Sequence, residues 1–344
     1  MNPPRMSIRQ LAQSLGLSVS TVSRALNGYT DVNAATRERV EQAAREIGYR
    51  PHPVAHRLAT GRTGAVALVS PVLGSSRFDN SFAQMMHGVT SRLESAGYYL
   101  LSMALPGDEA ELPSLQRLLD AGVIDGLILT RTRPRDARVA LLQARGIPFV
   151  THGRTLHNEP HAWVDTDNER AMRLAVGRLV SLGHRRIAMI NGPGELTFAL
   201  LRRQGFEQGL SAAGLDPMQC PVVHSELTAA AAQAVAIDLL NPADRTQRPT
   251  AIVCANDVLA LGAALACRQS GLRVGKDVSL TGYGNSESAE FADPPLTTVD
   301  HQVFESGGHL AELLLRRIAG EDGAVLRELE PVRLIERASI APPP

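Results

Sequence analysis

The chain has 344 residues, 44% of them hydrophobic, with 35 basic and 35 acidic side chains and a formal net charge of zero. That length exceeds one compact unit of ordinary size and predicts a small domain joined to a larger, two-lobed one; no run of about eighteen uncharged apolar residues occurs, which excludes a membrane-spanning helix. The opening MNPPRMSIRQ lacks the apolar stretch of a secretory signal, so a soluble cytoplasmic protein is expected, and Cys220, Cys254 and Cys267, with no CxxC spacing, point to buried reduced thiols rather than a disulfide framework or a zinc site.

The zero net charge hides an asymmetry. Residues 1–64 carry nine arginines against four acids, net +5, so the remainder is net −5. A small basic head on an acidic body suits a polyanionic partner held by the head.

In the head, Ser7 followed by Gln10 gives a capping box, and Ile8, Leu11, Ala12 and Leu15 recur at helical spacing. Gly16 stops this helix, and Ser18 caps a second one that turns Val22, Ala25 and Leu26 inward. Two helices joined by about three residues around a glycine make a helix-turn-helix. Asn33 caps a third helix with Val40, Ala43, Ala44 and Ile47 on one face and Gly48 at its end. The outer face of the second helix reads Val19, Ser20, Thr21, Ser23, Arg24, small enough to enter a groove about 12 Å wide. Hydroxyls there suit phosphates, while Val19, Ser20 and Arg24 suit base edges.

The string S-I-R-Q-L-A-Q-S-L-G-L-S-V-S-T-V-S-R-A-L-N-G, followed by T-R-E-R-V and I-G-Y-R-P, resembles the LacI/GalR family of bacterial transcription regulators. The resemblance implies that Val19, Ser20 and Arg24 read bases of a palindromic double-stranded operator, and that Ser18, Thr21, Ser23 and Asn27 contact phosphates. It also bears on the stretch Val54–Ala59 between Pro53 and Gly61, barely two helical turns and too short to be a stable helix alone. Two such hinge helices would pair in the minor groove, with Leu58 as the wedge between base pairs.

From Ala65 the pattern changes to strand-like runs (65–70, 98–103, 126–130, 148–151, 187–190, 251–255, 278–283) separated by helical stretches such as 82–96, 169–182 and 259–270. This alternation predicts parallel sheets with helices on both faces, with ligands bound beyond the carboxyl ends of the strands. The residues there are polar: Ser81-Phe82, His152-Gly153-Arg154, Asp165-Thr166-Asp167-Asn168, Asn256-Asp257 and Asn285-Ser286-Glu287. Asn168 and Asp257 precede helices and are equally readable as caps. The segments L-G-H-R-R-I-A-M-I-N-G-P, R-R-Q-G-F, A-N-D-V-L-A-L-G-A and P-P-L-T-T-V-D are similar to the family's effector domain, a two-lobed fold of the periplasmic-binding-protein type. That likeness implies effector contacts from Ser81, Phe82, Asp167, Arg202 and Asn256, to which His152, Arg154, Phe198 and Asn285 are added on chemistry, with Trp163 a further ring able to lie against a pyranose. One departure stands out: Gly282-Tyr283 is followed by Gly284, where many members carry an aspartate, and Asn285 or Glu287 is the candidate replacement. The stretch V-T-H-G-R-T…H-A-W-V-D-T-D-N-E looks most like regulators of raffinose and α-glucoside use.

The expected organisation is an all-α helix-turn-helix domain (1–50), a hinge (51–63) and a two-lobed α/β effector and dimerisation domain (64–344), acting as a homodimer that binds DNA and a sugar. No GxSxG elbow, HExxH or phosphate loop is present, so neither an enzyme nor a bound cofactor or metal is expected. A transport binding protein would share the body's fold but not the basic head. Whether the regulator represses or activates stays open at this stage.

Overall fold

The computed structural model describes residues 7–26, 29, 31–47, 49, 62–72, 80–106 and 109–344. Residues 51–61 of the expected hinge, Leu58 among them, lie outside the described residues, as do Asn27 and Gly48. The chain divides into two compact units, residues 1–64 with 123–125, and residues 65–122 with 126–344.

The first unit holds α1 (Ile8–Leu15), α2 (Val19–Leu26) and α3 (Ala34–Glu46). Ser7 and Gln10 form both arms of the capping box, and Gly16 ends α1 in the left-handed conformation at φ 65°. The Ser18 hydroxyl accepts the Thr21 amide at 3.0 Å to start α2, and Asn33 accepts the Thr36 amide at 2.8 Å to start α3. Helix α3 closes at Ile47, whose amide donates to Ala43. Leu11, Ala12, Val22, Ala25, Val32, Val40 and Ala44 form the shared core of the three helices.

The second unit alternates strand and helix: β1 (Ala65–Val72), α4 (Asn80–Ser95), β2 (Tyr99–Pro106), α5 (Glu111–Asp120), β3 (Gly126–Leu129), α6 (Ala137–Ala144), β4 (Phe149–His152) and β5 (Trp163–Thr166). Then follow α7 (Asn168–Ser181), β6 (Ile187–Asn191), α8 (Thr197–Ala212), β7 (Val222–His224), α9 (Ala229–Leu240), β8 (Ala251–Cys254), α10 (Asp257–Gln269), β9 (Ser279–Tyr283), α11 (Glu287–Glu290) and β10 (Thr297–Asp300). The chain ends with α12 (Val303–Ile318), β11 (Arg327–Glu330) and β12 (Arg333–Ile335). One sheet has the order β11-β5-β4-β3-β1-β2 and is parallel throughout; the other has the order β12-β10-β9-β8-β6-β7, with β12 alone antiparallel. Each sheet with its helices is one lobe, and the chain passes between lobes three times: after β5, after β10 and after β11.

Most of the strand-like runs of the sequence are strands buried on both faces, as in Ala251-Ile252-Val253-Cys254, while the run at 98–103 becomes the edge strand β2, whose Tyr99 and Leu101 are exposed. The sequence pattern did not predict β5, β7, β10, β11 and β12, which are only three or four residues long and, β7 (Val-Val-His) apart, include Thr, Asp, Glu or Arg. Cys220, Cys254 and Cys267 are buried free thiols, and burial raises the pKa of each. Among the described residues no helix is long and apolar enough to cross a membrane.

In the first lobe α4 and α12 cross backbone against backbone. A Cβ on Gly307 would lie 2.2 Å from the Met85 carbonyl oxygen, whereas a Cβ on its neighbour Gly308 would meet nothing within 4 Å. Gly307→Ala is therefore expected to destabilise the fold by about 1–3 kcal/mol through forced separation of the helices. Gly308→Ala should be neutral or stabilising by up to about 1 kcal/mol through helix propensity. Urea midpoints of the two variants against wild type check both signs, and equal midpoints for the pair would refute the close crossing.

Candidate ligand cavity and nucleic-acid interface

In the head, the buried side of α2 is Val22 and Ala25, which leaves Ser18, Val19, Ser20 and Arg24 exposed and Thr21 and Ser23 half-buried. The Ser18 hydroxyl bonds those of Ser20 (2.7 Å) and Thr21 (2.8 Å), a local network that fixes the first turn. Arg24 pairs with Asp31 at 2.7 Å and lies over the Tyr29 ring; both Arg24 and Asp31 are about half exposed, so the pair is weak and exchangeable. Of the expected DNA contacts, Ser18 to Arg24 thus share one outward face, while Asn27 and Leu58 fall outside the described residues.

In the body, a cavity of about 270 Å³ opens at the carboxyl ends of the strands and is lined from both lobes, close to the lower end of the usual range for small-molecule sites. Ser81, Phe82, His152, Phe198, Arg202 and Asn256 line it. Arg154, Asp167 and Asn285 do not, and each is held elsewhere. Arg154 donates to Glu169 at 2.6 Å, Asp167 caps α7 by accepting the Arg170 amide at 2.9 Å, and Asn285 accepts from Arg337 at 2.8 Å. Trp163 and Glu287 are also absent from the lining.

Arg202 is the centre of the cavity wall. Its guanidinium lies 3.7 Å from the Tyr283 ring centroid and 4.7 Å from that of Phe198. Its Nε donates to Asn168 Oδ1 at 2.8 Å and its Nη1 to the Ala255 carbonyl. Tyr283 in turn meets Thr166 of the other sheet through its hydroxyl at 2.7 Å and stacks on His301 at 4.7 Å. Burial, with the Arg202 charge nearby, lowers His152 to about 4 and His301 to about 3, so both rings are neutral at pH 7. The Nδ1 of His301 is buried without a hydrogen-bond partner.

Sequence reasoning named Asp165 only within the polar run 165–168 and gave the contact to Asp167, and it missed Tyr283 and His301; all of Asp165, Tyr283 and His301 line the cavity. Asp165 is the most informative. Its Oδ1 accepts from the Thr166 amide and from Asn168, while its Oδ2 lies 3.4 Å from Arg154 without a hydrogen bond. The available signal was the end of the strand: Asp165 and Thr166 close β5 and both line the cavity, whereas Asp167 has already left the strand to cap the next helix. Gly284 also lines the cavity, at φ 125°, a conformation in which a side-chain-bearing residue is strained. The carboxylates on this wall are therefore Asp165 and Asp257, the latter already engaged by Thr298 and the Ser286 amide.

Two family models match. One, for bacterial regulatory proteins of the lacI family, covers residues 7–52, and the other, for a periplasmic binding protein-like domain, covers residues 176–340. The chain is 38% identical to the HTH-type transcriptional regulator AglR of Rhizobium meliloti (strain 1021) over 344 residues, covering 98% of this chain and 95% of the relative. Among solved structures, a transcriptional regulator CelR–cellobiose complex is similar at 33% identity with a TM-score of 0.75, covering 97% of this chain and 100% of that one. The lac repressor dimer bound to operator and the anti-inducer ONPF is similar at 29% identity with a TM-score of 0.80, covering 98% and 99% of the two chains.

Burial raises the Asp165 carboxyl from 3.8 to about 6, against the opposing pull of Arg154. A carboxyl that keeps its proton to higher pH in the folded state than in the unfolded one favours folding most below about pH 4, and that benefit is lost as pH rises through about 6. Between pH 4 and 7 wild type should lose on the order of 2 kcal/mol relative to Asp165→Asn. Urea unfolding of both proteins at the two pH values measures this difference; a pH-independent difference would mean that Asp165 is ionised throughout.

Proposed function

Since the chain belongs to the LacI family of bacterial regulatory proteins, DNA-binding regulators of transcription, we propose that it is a cytoplasmic repressor of carbohydrate-utilisation genes, released from its operator by a neutral sugar. The observation that carries the sugar reading is the cavity wall itself. Rings of Phe82, Phe198 and Tyr283 offer stacking faces, while Arg202, Asn256 and neutral His152 and His301 offer hydrogen bonds suited to hydroxyls. The Asp165 carboxylate on the same wall, within electrostatic reach of Arg202, opposes an anionic ligand such as a sugar phosphate. The complex of CelR with cellobiose supports a glycoside larger than one ring, and α-glucosides and α-galactosides are the first candidates.

On this reading two copies place their α2 helices in successive major grooves of a palindromic site, with Val19, Ser20 and Arg24 at base edges and Ser18, Thr21, Ser23 and Asn27 at phosphates. The lac repressor dimer on its operator supports the twofold arrangement. In this chain the edge strand β2 exposes Tyr99 and Leu101, apolar surface suited to a second copy. Residues 54–59, within the hinge 51–63, would form the paired hinge helices, with Leu58 in the minor groove. Effector binding draws the lobes together about the three crossovers, shifts the first lobe, from which the chain runs back to the head, and favours the DNA-free state. The shift in the equilibrium equals the effector's difference in affinity for the two states.

Thermal-shift screening of the whole protein against α-glucosides, α-galactosides and cellobiose is the direct test, because ligand binding raises stability by mass action. One or more of these sugars should raise the midpoint and weaken operator binding, and Arg202→Ala should remove both effects. Silence across the panel with operator binding intact would replace the sugar by another effector class. Arg24→Ala should cost operator affinity about 1–3 kcal/mol and relax the preference at one base position, measured by binding to operators varied at single positions.

A further inference from the structure

Away from the cavity, one cluster of side chains has a geometry that the regulator's function does not use. Strand β11 is the edge of the first sheet, paired with β5 alone, and Glu328 and Glu330, two residues apart, point to the same face of it. Helix α12 lays His309 against that face. The His309 Nδ1 lies 2.8 Å from Glu330 Oε1 and 3.2 Å from Glu328 Oε1, and the three donor atoms all lie within 4.8 Å of one another. Glu330 is only 7% exposed, its other oxygen takes the Ser306 hydroxyl, and burial raises its pKa. His309 and Glu328 are each nearly half exposed, so the cluster is open to solvent on one side.

Two carboxylates converge here on one imidazole nitrogen, and a neutral imidazole donates at most one proton from that nitrogen. The guanidinium of Arg316 acts on Glu328 electrostatically, but its hydrogen bonds go to Glu321, so it does not bridge the two carboxylates. A divalent cation would. Zinc bound at about 2.0–2.2 Å to tetrahedral nitrogen and oxygen ligands sets donor atoms about 3.3–3.6 Å apart, somewhat wider than the 2.8 and 3.2 Å contacts of His309 and within the 4.8 Å that encloses all three donor atoms. We propose that His309, Glu328 and Glu330 form a binding site for a divalent cation of the zinc class, each giving one donor atom, with water in the fourth, solvent-facing position. Imidazole with carboxylates is a donor set suited to such an ion, and it needs none of the buried thiols that argued against a zinc site in the sequence. The site also occupies a particular place in the fold. Glu330 immediately precedes the crossover at 331–332, and α12, which carries His309 nearly two turns in, follows the crossover at 301–302, so a bound ion ties together elements that adjoin two of the three connections between lobes.

The test uses the full-length protein, freed of metal with a chelator and titrated with Zn²⁺ in competition with a chromophoric indicator, alongside His309→Ala and Glu328→Gln. Wild type should take up one ion per chain more than His309→Ala, with a Zn²⁺-dependent rise in thermal midpoint that the variant lacks. Glu328→Gln should bind at least about tenfold more weakly. The same uptake and the same midpoint shift in wild type and His309→Ala would overturn the proposal. It would also be overturned if His309→Ala lowered the midpoint while wild type took up no ion, the result expected of a protonated histidine clamping two glutamates.

Discussion

A guanidinium buried without a carboxylate in direct contact organises the larger unit. Removing a charge from water is costly unless every donor finds an acceptor or a polarisable face. Arg202 finds Asn168 at the first residue of α7, the Ala255 carbonyl just past β8, the ring of Tyr283 at the end of β9 and the ring of Phe198 one turn earlier on its own helix. Those four elements must therefore end at one place, and the carboxyl ends of both sheets meet there because Tyr283 carries the network across to Thr166 of β5. The cavity is the space left in front of this arrangement. A ligand that competes for any of these partners alters contacts in both lobes at once, which gives a small molecule a route to the relative position of the lobes.

The three crossovers make that route effective. Two of these chain connections, at 166–167 and 301–302, lie beside residues of the network: Thr166 and Asn168 flank the first, and His301 is part of the second. A ligand hydroxyl that satisfied the unpartnered Nδ1 of His301 would gain a hydrogen bond worth about 1 kcal/mol net where a buried donor or acceptor now has none. Differences of that size decide a two-state equilibrium, since about 1.4 kcal/mol changes a population ratio tenfold.

Much of this was legible in the sequence, for physical reasons that differ from one element to the next. Caps and apolar periodicity act within a few residues, so the three helices of the head and their inward faces could be read from Ser7, Ser18, Asn33 and the Leu/Val/Ala pattern. Strands buried on both faces announce themselves as apolar runs, which is why β1, β6 and β8 were found while Arg-Glu-Leu-Glu of β11 was not. Site residues are harder because their roles are set by partners far away in sequence. Asp165 and Asp167 are two positions apart and chemically identical, yet one faces the cavity and the other caps a helix, and Arg154 is drawn off by Glu169, fifteen residues along the chain. Tyr283 reads as one more apolar strand residue until Arg202, 81 positions earlier, is placed against its ring.

The substitution at 284 shows how the wall sets ligand preference. Gly284 occupies a backbone conformation that disfavours an aspartate, and its neighbours Asn285 and Glu287 point elsewhere, so no carboxylate reaches the cavity from the residues that follow β9. Of the two carboxylates that do line it, Asp257 is engaged by Thr298 and the Ser286 amide, which leaves Asp165 on the opposite lobe, with one oxygen held by the Thr166 amide and Asn168 and the other 3.4 Å from Arg154 without a hydrogen bond. A hydroxyl-rich ligand can donate to that oxygen, and doing so favours the ionised carboxylate whose proton affinity burial has raised. The lobe that supplies the acid is then the lobe opposite Asn256 and Arg202. A single neutral sugar must span both to satisfy them, whereas a phosphate drawn to Arg202 would meet the charge of Asp165. The same displacement that removes one hydroxyl contact near β9 therefore makes bridging between lobes a condition of tight binding.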